Sequence, residues 1–163
     1  MEYLFLTQRC KVRKFREKDL QSFMSYRNDE QWMKYQSFKG LSEEEYRKTL
    51  FADFYFETGI QLAILEKSLE KLIGDLYLKK ESDTFWIGCT IHPNFARMGY
   101  AQEALTGLLH WLHTNQNCAQ VSAGAEPDNL ASNKLLKKMG FHDCYYDAEN
   151  NENIYTIDLS NFI

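Results

Sequence analysis

The sequence has no Cys-x-x-Cys pair, no apolar stretch near the length of a membrane span and no surplus of positive charge. Each absence removes a class of function. A spanning helix needs about 20 consecutive apolar residues, and no run approaches that. A nucleic-acid surface needs a basic patch to neutralise phosphates. Here 19 Lys and Arg stand among 23 Asp and Glu, a formal net charge of -4 with the signs interspersed. Neither nucleic acid nor membrane is expected as a partner. Cys10, Cys89, Cys118 and Cys144 lie far apart and read as reduced thiols, not as a metal set. His110 and His113 share a helix face but have no third ligand nearby, so no metal is expected. The first residues show no basic-then-apolar signal pattern, which makes a cytoplasmic location the expectation. Two phosphate-binding signatures are also missing: there is neither GxxxxGK[ST] nor GxGxxG.

What is present is an aromatic-rich chain of 163 residues, with ten Tyr, eleven Phe and three Trp. Its length fits one domain with a full core of its own, spanning residues 1–163. "RCKVRKF" alternates as a first strand, and "REKDLQSFMSYRND" follows with helical spacing. "DEQWMKYQ" reads as a short second helix or a continuation of the first. "LSEEEYRKTLFADFYF" opens with Ser42 and, three residues later, Glu45, a capping-box pattern; the spacing predicts a third helix to about Phe56. "IQLAILEK", "KLIGDLYLKK" and "TFWIGCTI" are short strands joined by hairpin-length turns, an antiparallel meander. Helical spacing then runs from Tyr100 to about Asn115. "CAQVSAGA" is a buried strand, and "DNLASNKLLKKMGF" is a helix capped by Asp128 or Asn129 and stopped by Gly140. "FHDCYYD" and "NIYTIDL" close the chain as two strands. The order β, helices, βββ, α, β, α, ββ predicts an α/β (α+β) domain with a mixed, mostly antiparallel central sheet flanked by helices. The strand–helix–strand unit supplies one parallel pair.

Two stretches carry the chemistry. In "HPNFARMGYAQEAL", Pro93 and Gly99 keep the loop out of helix, and a helix begins after Gly99. The first amides of that helix lack intrahelical partners and carry the positive end of its dipole, so a loop bent over them can hold a phosphate. A plain strand-to-helix turn explains the same spacing. In "NLASNKLLKKMGF", Asn129 and Ser132 sit where capping groups belong, which equally explains them without a ligand.

The two stretches together are more specific than either alone. "HPNFARMGYAQEA" followed by "NLASNKLLKKMGF", with "YRNDEQWMKYQSF" upstream, resembles the GNAT acetyltransferase superfamily over nearly the whole chain. The similarity is to its ribosomal-protein N-acetyltransferase-like branch. The resemblance implies a sheet splayed between the fourth and fifth of the strands above, with acetyl-CoA in the gap as co-substrate. It puts the pyrophosphate on the amides of Arg97, Met98, Gly99, Tyr100 and Ala101. It lays the pantetheine along Cys89 to Ile91 and gives Asn129 a hydrogen bond to the pantetheine or acceptor. An amine then attacks the thioester directly.

Three positions depart from the family pattern. Ala96 stands where Gln or Arg is frequent, with Arg97 beside it. Leu136 stands where many members carry a tyrosine acid, which leaves Ser132 as the candidate acid. Trp86 stands where many carry a glutamate base. His92 is then the best-placed titratable group, with Asp83, Glu66 and Glu126 as other carboxylate candidates. Glu103 reads as a packing or capping partner. Trp32, Tyr35 and Phe38 are candidates to line the acceptor site, or else ordinary core aromatics. The expected activity is acetyl-CoA-dependent N-acetylation of a primary amine: a protein N-terminus, an amino sugar, a polyamine or an antibiotic. The alternatives are an acyl-CoA-binding module with weak chemistry and a protein-interaction domain that binds no CoA. Either a monomer or a homodimer is consistent with the sequence.

Overall fold

The computed structural model describes residues 3–160. Eight strands form one sheet in the order β1-β2-β3-β4-β5-β6-β8-β7. They are β1 (Phe5–Leu6), β2 (Cys10–Lys14), β3 (Ile60–Glu66), β4 (Lys71–Glu81), β5 (Thr84–Ile91), β6 (Gln120–Ala125), β7 (His142–Asp147) and β8 (Glu152–Asp158). Every pairing is antiparallel except β5 with β6. The helices are α1 (Leu20–Arg27), α2 (Glu43–Leu50), α3 (Tyr100–Asn115) and α4 (Leu130–Lys138). The strand order expected from the sequence is therefore found, with the short β1 added. Two residues carry no readable period, which is why β1 leaves no mark on the pattern.

β3 is buried along its whole length, as a central strand covered on both faces must be. Its alternation divides the core. Leu62 and Ile64 join Val12, Leu76, Leu105, Leu108 and Leu112 beneath α3. Ala63 and Leu65 face Phe15, Leu20, Phe23, Tyr26, Tyr46 and Leu50 beneath α1 and α2. Gly74 permits a close approach within β4 and β5: a Cβ there would collide with Thr90 O.

Two helical expectations need correction. Residues 29–36 are turns, not a helix. Asp29 closes a single turn, its Oδ1 accepting from Trp32 N–H and its carbonyl from Met33 N–H. Lys39 Nζ then donates to Met33 O, and Gly40 takes a positive φ. The third expected helix stops at Leu50 instead of Phe56. Phe54 and Phe56 leave it to pack against each other, and Phe56 reaches Phe85 and Trp111. Aromatic burial against the sheet outweighs a weak local helix preference here. The capping box at the start of that helix is present, with Ser42 Oγ accepting from Glu45 N–H and Glu45 Oε1 from Ser42 N–H.

Candidate active site

The site begins where a strand pair ends. β5 and β6 are in register only at Thr84–Gln120, Phe85–Val121 and Trp86–Ser122. Beyond Trp86 the strands part, while β5 stays paired with β4 up to Ile91. His92 N–H donates to Ile73 O, 2.7 Å, which fixes the alternation along β5. The even-numbered residues bond to β4, so Ile87, Cys89 and Ile91 turn their N–H and C=O groups into the gap. Open backbone groups at a strand edge need partners, and an amide-bearing chain laid along them supplies these. This is the fit expected of a pantetheine arm.

The loop after β5 is capped at both ends. His92 Nδ1 accepts Asn94 N–H, 3.0 Å, at the head of a 3-10 turn over Pro93–Phe95. Its ring lies against Tyr26 and Phe95. Burial, and then the charge of Lys71, hold the His92 pKa below its ordinary value of 6.5. His92 is therefore neutral at neutral pH, with its proton on Nε2 because Nδ1 is accepting. Its basic nitrogen is committed to the backbone, so the geometry gives it a capping role instead of a free base. Arg97 (φ 62) and Gly99 (φ 82) both take left-handed backbone, and Gly99 is the N-cap of α3. The chain thus folds back over the first amides of α3, those of Tyr100 and Ala101. Arg97 and Met98 are exposed, and Tyr100 is buried. A shallow groove of about 740 Å³ lies alongside, between β1 and α3, and reaches Gly99.

Across the gap, Asn129 caps α4, its Oδ1 accepting from Ser132 N–H at 3.3 Å. The Ser132 hydroxyl is left uncommitted among the described residues. Asn133 is a neighbour the sequence reading passed over. Its Nδ2 donates to Glu126 O and Asn129 O, and its Oδ1 accepts from Tyr155 and Asn153. This staples the β6–α4 loop to β8.

Of the three candidate lining residues, two come to the gap. Trp32 is exposed, and its Nε1–H donates to Ile91 O, 2.9 Å. Tyr35 Oη donates to Asp128 O, 3.2 Å, on the β6–α4 loop. Phe38 packs inward instead, against Phe23 and Tyr46. Two of the carboxylate candidates are placed elsewhere: Glu66 caps the turn at Ser68, and Asp83 lies exposed in the β4–β5 turn; Glu126 follows β6 directly, on the β6–α4 loop.

Below the gap lies a buried polar cluster that the sequence reading missed. Asp75, on β4, is 1% exposed. It accepts from Tyr26 Oη, from Arg27 Nη2 at 2.6 Å and from Gln61 Nε2 at 3.0 Å. Arg27 also reaches Thr90 Oγ1 on β5 and Phe38 O in the following segment. Burial pushes the Asp75 carboxyl up, against the pull of Arg27, and pushes the Tyr26 hydroxyl up as well. A signal existed: "LIGDLYL" places one carboxylate inside an apolar strand, and such a group requires partners. Burial likewise pushes the Cys89 thiol well up, so it is neutral. All four cysteines are free thiols. Among the described residues no group of three His, Cys, Asp or Glu is placed to hold a metal ion. No helix there is long and apolar enough to cross a membrane.

Comparison with known proteins identifies the family. Residues 9–142 match the family described as Acetyltransferase (GNAT) domain. The uncharacterised N-acetyltransferase YnaD of Bacillus subtilis is 29% identical over 136 residues, 82% of this chain and 79% of that protein. An acetyltransferase (GNAT family) from Bacillus anthracis superposes with a TM-score of 0.82 at 23% identity, covering 94% of this chain and 96% of that one. Spermidine N-acetyltransferase from Vibrio cholerae, in complex with CoA and spermine, superposes at 0.81 with 16% identity, covering 93% and 96%. RimJ from Mycobacterium smegmatis, in complex with CoA-disulfide, superposes at 0.79 with 14% identity, covering 94% and 83%. The chain belongs to the GNAT acetyltransferase family.

Proposed function

We propose that this chain is an acetyl-CoA-dependent N-acetyltransferase that acetylates a primary amine in the gap between β5 and β6. Family membership makes acetyl transfer its activity. The observation that carries the finer reading is the splay itself. A parallel pair stops after three residues, and the open strand leads through the His92–Gly99 loop into a glycine-capped helix. The amides of Ile87, Cys89 and Ile91 offer partners for a pantetheine arm. The Arg97–Ala101 turn offers amides and a helix dipole for a pyrophosphate. Bound there, acetyl-CoA supplies an activated acyl group as a thioester.

The roles of the residues follow from charge. The amine attacks in its neutral form and sheds a proton afterwards. A backbone N–H on the open edge of β5 stabilises the charge that develops on the carbonyl oxygen. The Ser132 hydroxyl gives its proton to the departing thiolate and regains one from the amine nitrogen, so the proton the amine sheds ends on the CoA thiol. Trp32 and Tyr35 form one wall of the acceptor site, and Asn129 orients the end of the arm. His92 holds the loop through its cap. The acceptor is an amine on a small molecule or peptide, and free thiols at all four cysteines fit a cytoplasmic setting.

A thiol-release assay with acetyl-CoA and a panel of primary amines tests the proposal. Turnover on at least one amine is expected. Ser132→Ala should lower kcat about 100- to 10,000-fold with KM for acetyl-CoA held, as loss of an acid acting on the leaving group requires. Binding of acetyl-CoA with no turnover on any amine leaves a CoA-binding module and sinks the enzyme reading. An unchanged kcat for Ser132→Ala removes the acid role from Ser132.

A further inference from the structure

The loop over α3 is held from the far end of the chain. Thr7 to Arg9 turn β1 into β2, and this hairpin lies flush against α3. Gly107 permits the approach, since a Cβ there would stand 2.7 Å from Phe5 Cε2 and 2.8 Å from Thr7 Cγ2. Where the hairpin meets the start of the helix, Arg9 is gripped on several sides. Its Nε donates to Glu103 Oε1 and its backbone N–H to Glu103 Oε2, both at 2.7 Å. Thr7 Oγ1 donates to the same carboxylate at 2.5 Å, so Glu103 is fixed in turn. Arg9 Nη1 donates to Met98 O at 2.9 Å, and the guanidinium lies 4.0 Å from the centre of the Tyr100 ring. Nη2 lies 3.4 Å from where a Cβ on Gly99 would be.

The bond to Met98 O has a directional consequence. In a planar trans peptide the C=O and the next N–H point opposite ways. Holding Met98 O against Arg9 therefore turns Gly99 N–H away from Arg9, to the other side of the loop. The loop includes two residues in left-handed backbone, Arg97 and Gly99, and such a segment needs an outside constraint to keep one conformation.

We infer that Arg9 is a positioning residue for the pyrophosphate of the donor. It clamps the Met98–Gly99 peptide so that the loop amides stay aimed at the phosphates, doing from behind what no side chain at Ala96 can do from the front. The inference rests on the Arg97–Ala101 turn being the pyrophosphate site. The planar fork of arginine is required, because a lysine cannot bond Glu103 and Met98 O and cover the Tyr100 ring at once.

The test compares two donors. Acetyl-CoA and acetyl-pantetheine, which lacks pyrophosphate and nucleotide, are titrated into the wild type, Arg9→Ala and Arg9→Lys, with thermal melting followed alongside. The wild type should bind acetyl-CoA about 100-fold or more tightly than acetyl-pantetheine, given amide and dipole contacts to the phosphates. Equal affinity for the two donors would overturn the pyrophosphate reading itself. Given that gap, both variants should weaken acetyl-CoA about tenfold, the worth of one charge-assisted hydrogen bond, and leave acetyl-pantetheine within about twofold. Equal loss of both donors, or wild-type affinity for acetyl-CoA, overturns the role of Arg9. So does full rescue by lysine, which would make the charge the agent instead of the fork. If Arg9→Ala fails to fold, Arg9→Lys keeps a cation beside Glu103 and carries the comparison.

Discussion

His92 shows how a single hydrogen bond redirects a functional reading. From sequence it is the nearest titratable group to the loop. In the structure its Nδ1 accepts Asn94 N–H, and burial lowers its pKa. That shift has a consequence for stability with a definite sign. The native state holds the imidazole neutral, so the unfolded state binds the proton more tightly. The contribution is therefore complete above the ordinary value of 6.5 and is lost as the pH falls below it toward the depressed native value. Stability measured by urea unfolding should fall as pH drops from 7 to 5. His92→Asn keeps an acceptor for the cap and removes the titration, so its slope over that range should be shallower. An unchanged slope would mean that other groups carry the pH dependence.

The same scale explains what the sequence could and could not say about individual residues. Gly99 was legible because a positive φ at a helix start leaves few other choices. Arg97 was not, because arginine gives no local reason to adopt left-handed backbone. The clamp from Arg9 was not legible either, since it joins residues 89 apart.

At the scale of elements, most of the fold could be read from period and punctuation. The meander β3–β4–β5, the start of α3 at Tyr100 and the cap of α4 at Asn129 each have a local chemical cause. The errors fall where tertiary contacts override local preference. Residues 29–36 read as helical yet wind through turns, since Trp32 and Tyr35 are drawn to opposite sides of the gap. The long helix expected to Phe56 is cut at Leu50 by the packing of Phe54 and Phe56.

The β6–α4 loop depends on one buried side chain. It keeps its shape through Asn133, which bonds two loop carbonyls and receives the buried Tyr155 hydroxyl. Asn133→Leu removes these bonds and takes the amide oxygen from the buried Tyr155 hydroxyl, so a loss of roughly 2–4 kcal/mol is expected. Denaturant midpoints at a constant m-value provide the check. A loss below about 0.5 kcal/mol would show that water or relaxation replaces the staple.

On the scale of the whole molecule, the Arg27–Asp75 pair joins the layers. Arg27 comes from α1, Asp75 from β4, and their contacts reach Thr90 on β5 and the carbonyl of Phe38. One cluster thereby ties β5 to α1 and to the segment that follows it. Breaking a buried pair leaves an uncompensated charge, so Asp75→Leu and Arg27→Met should each cost about 3–5 kcal/mol. The double variant should cost less than the sum of the two, because both charges leave together. Simple additivity in a double-mutant cycle would show that the two groups are not coupled. The sequence carried half of this cluster, since a lone Asp in an apolar strand demands a partner. It could not say which cation answers, because that depends on how α1 lies across the sheet.

On the proposed function, the gap beyond Trp86 and the loop over α3 together hold acetyl-CoA. Amide hydrogen exchange with and without saturating acetyl-CoA tests it most directly. Protection is predicted in Ile87–Ile91 and in Arg97–Ala101, with little change along β7 and β8. Saturable binding that leaves both segments unprotected, or that protects a different face of the sheet, would place acetyl-CoA elsewhere and overturn the proposed site.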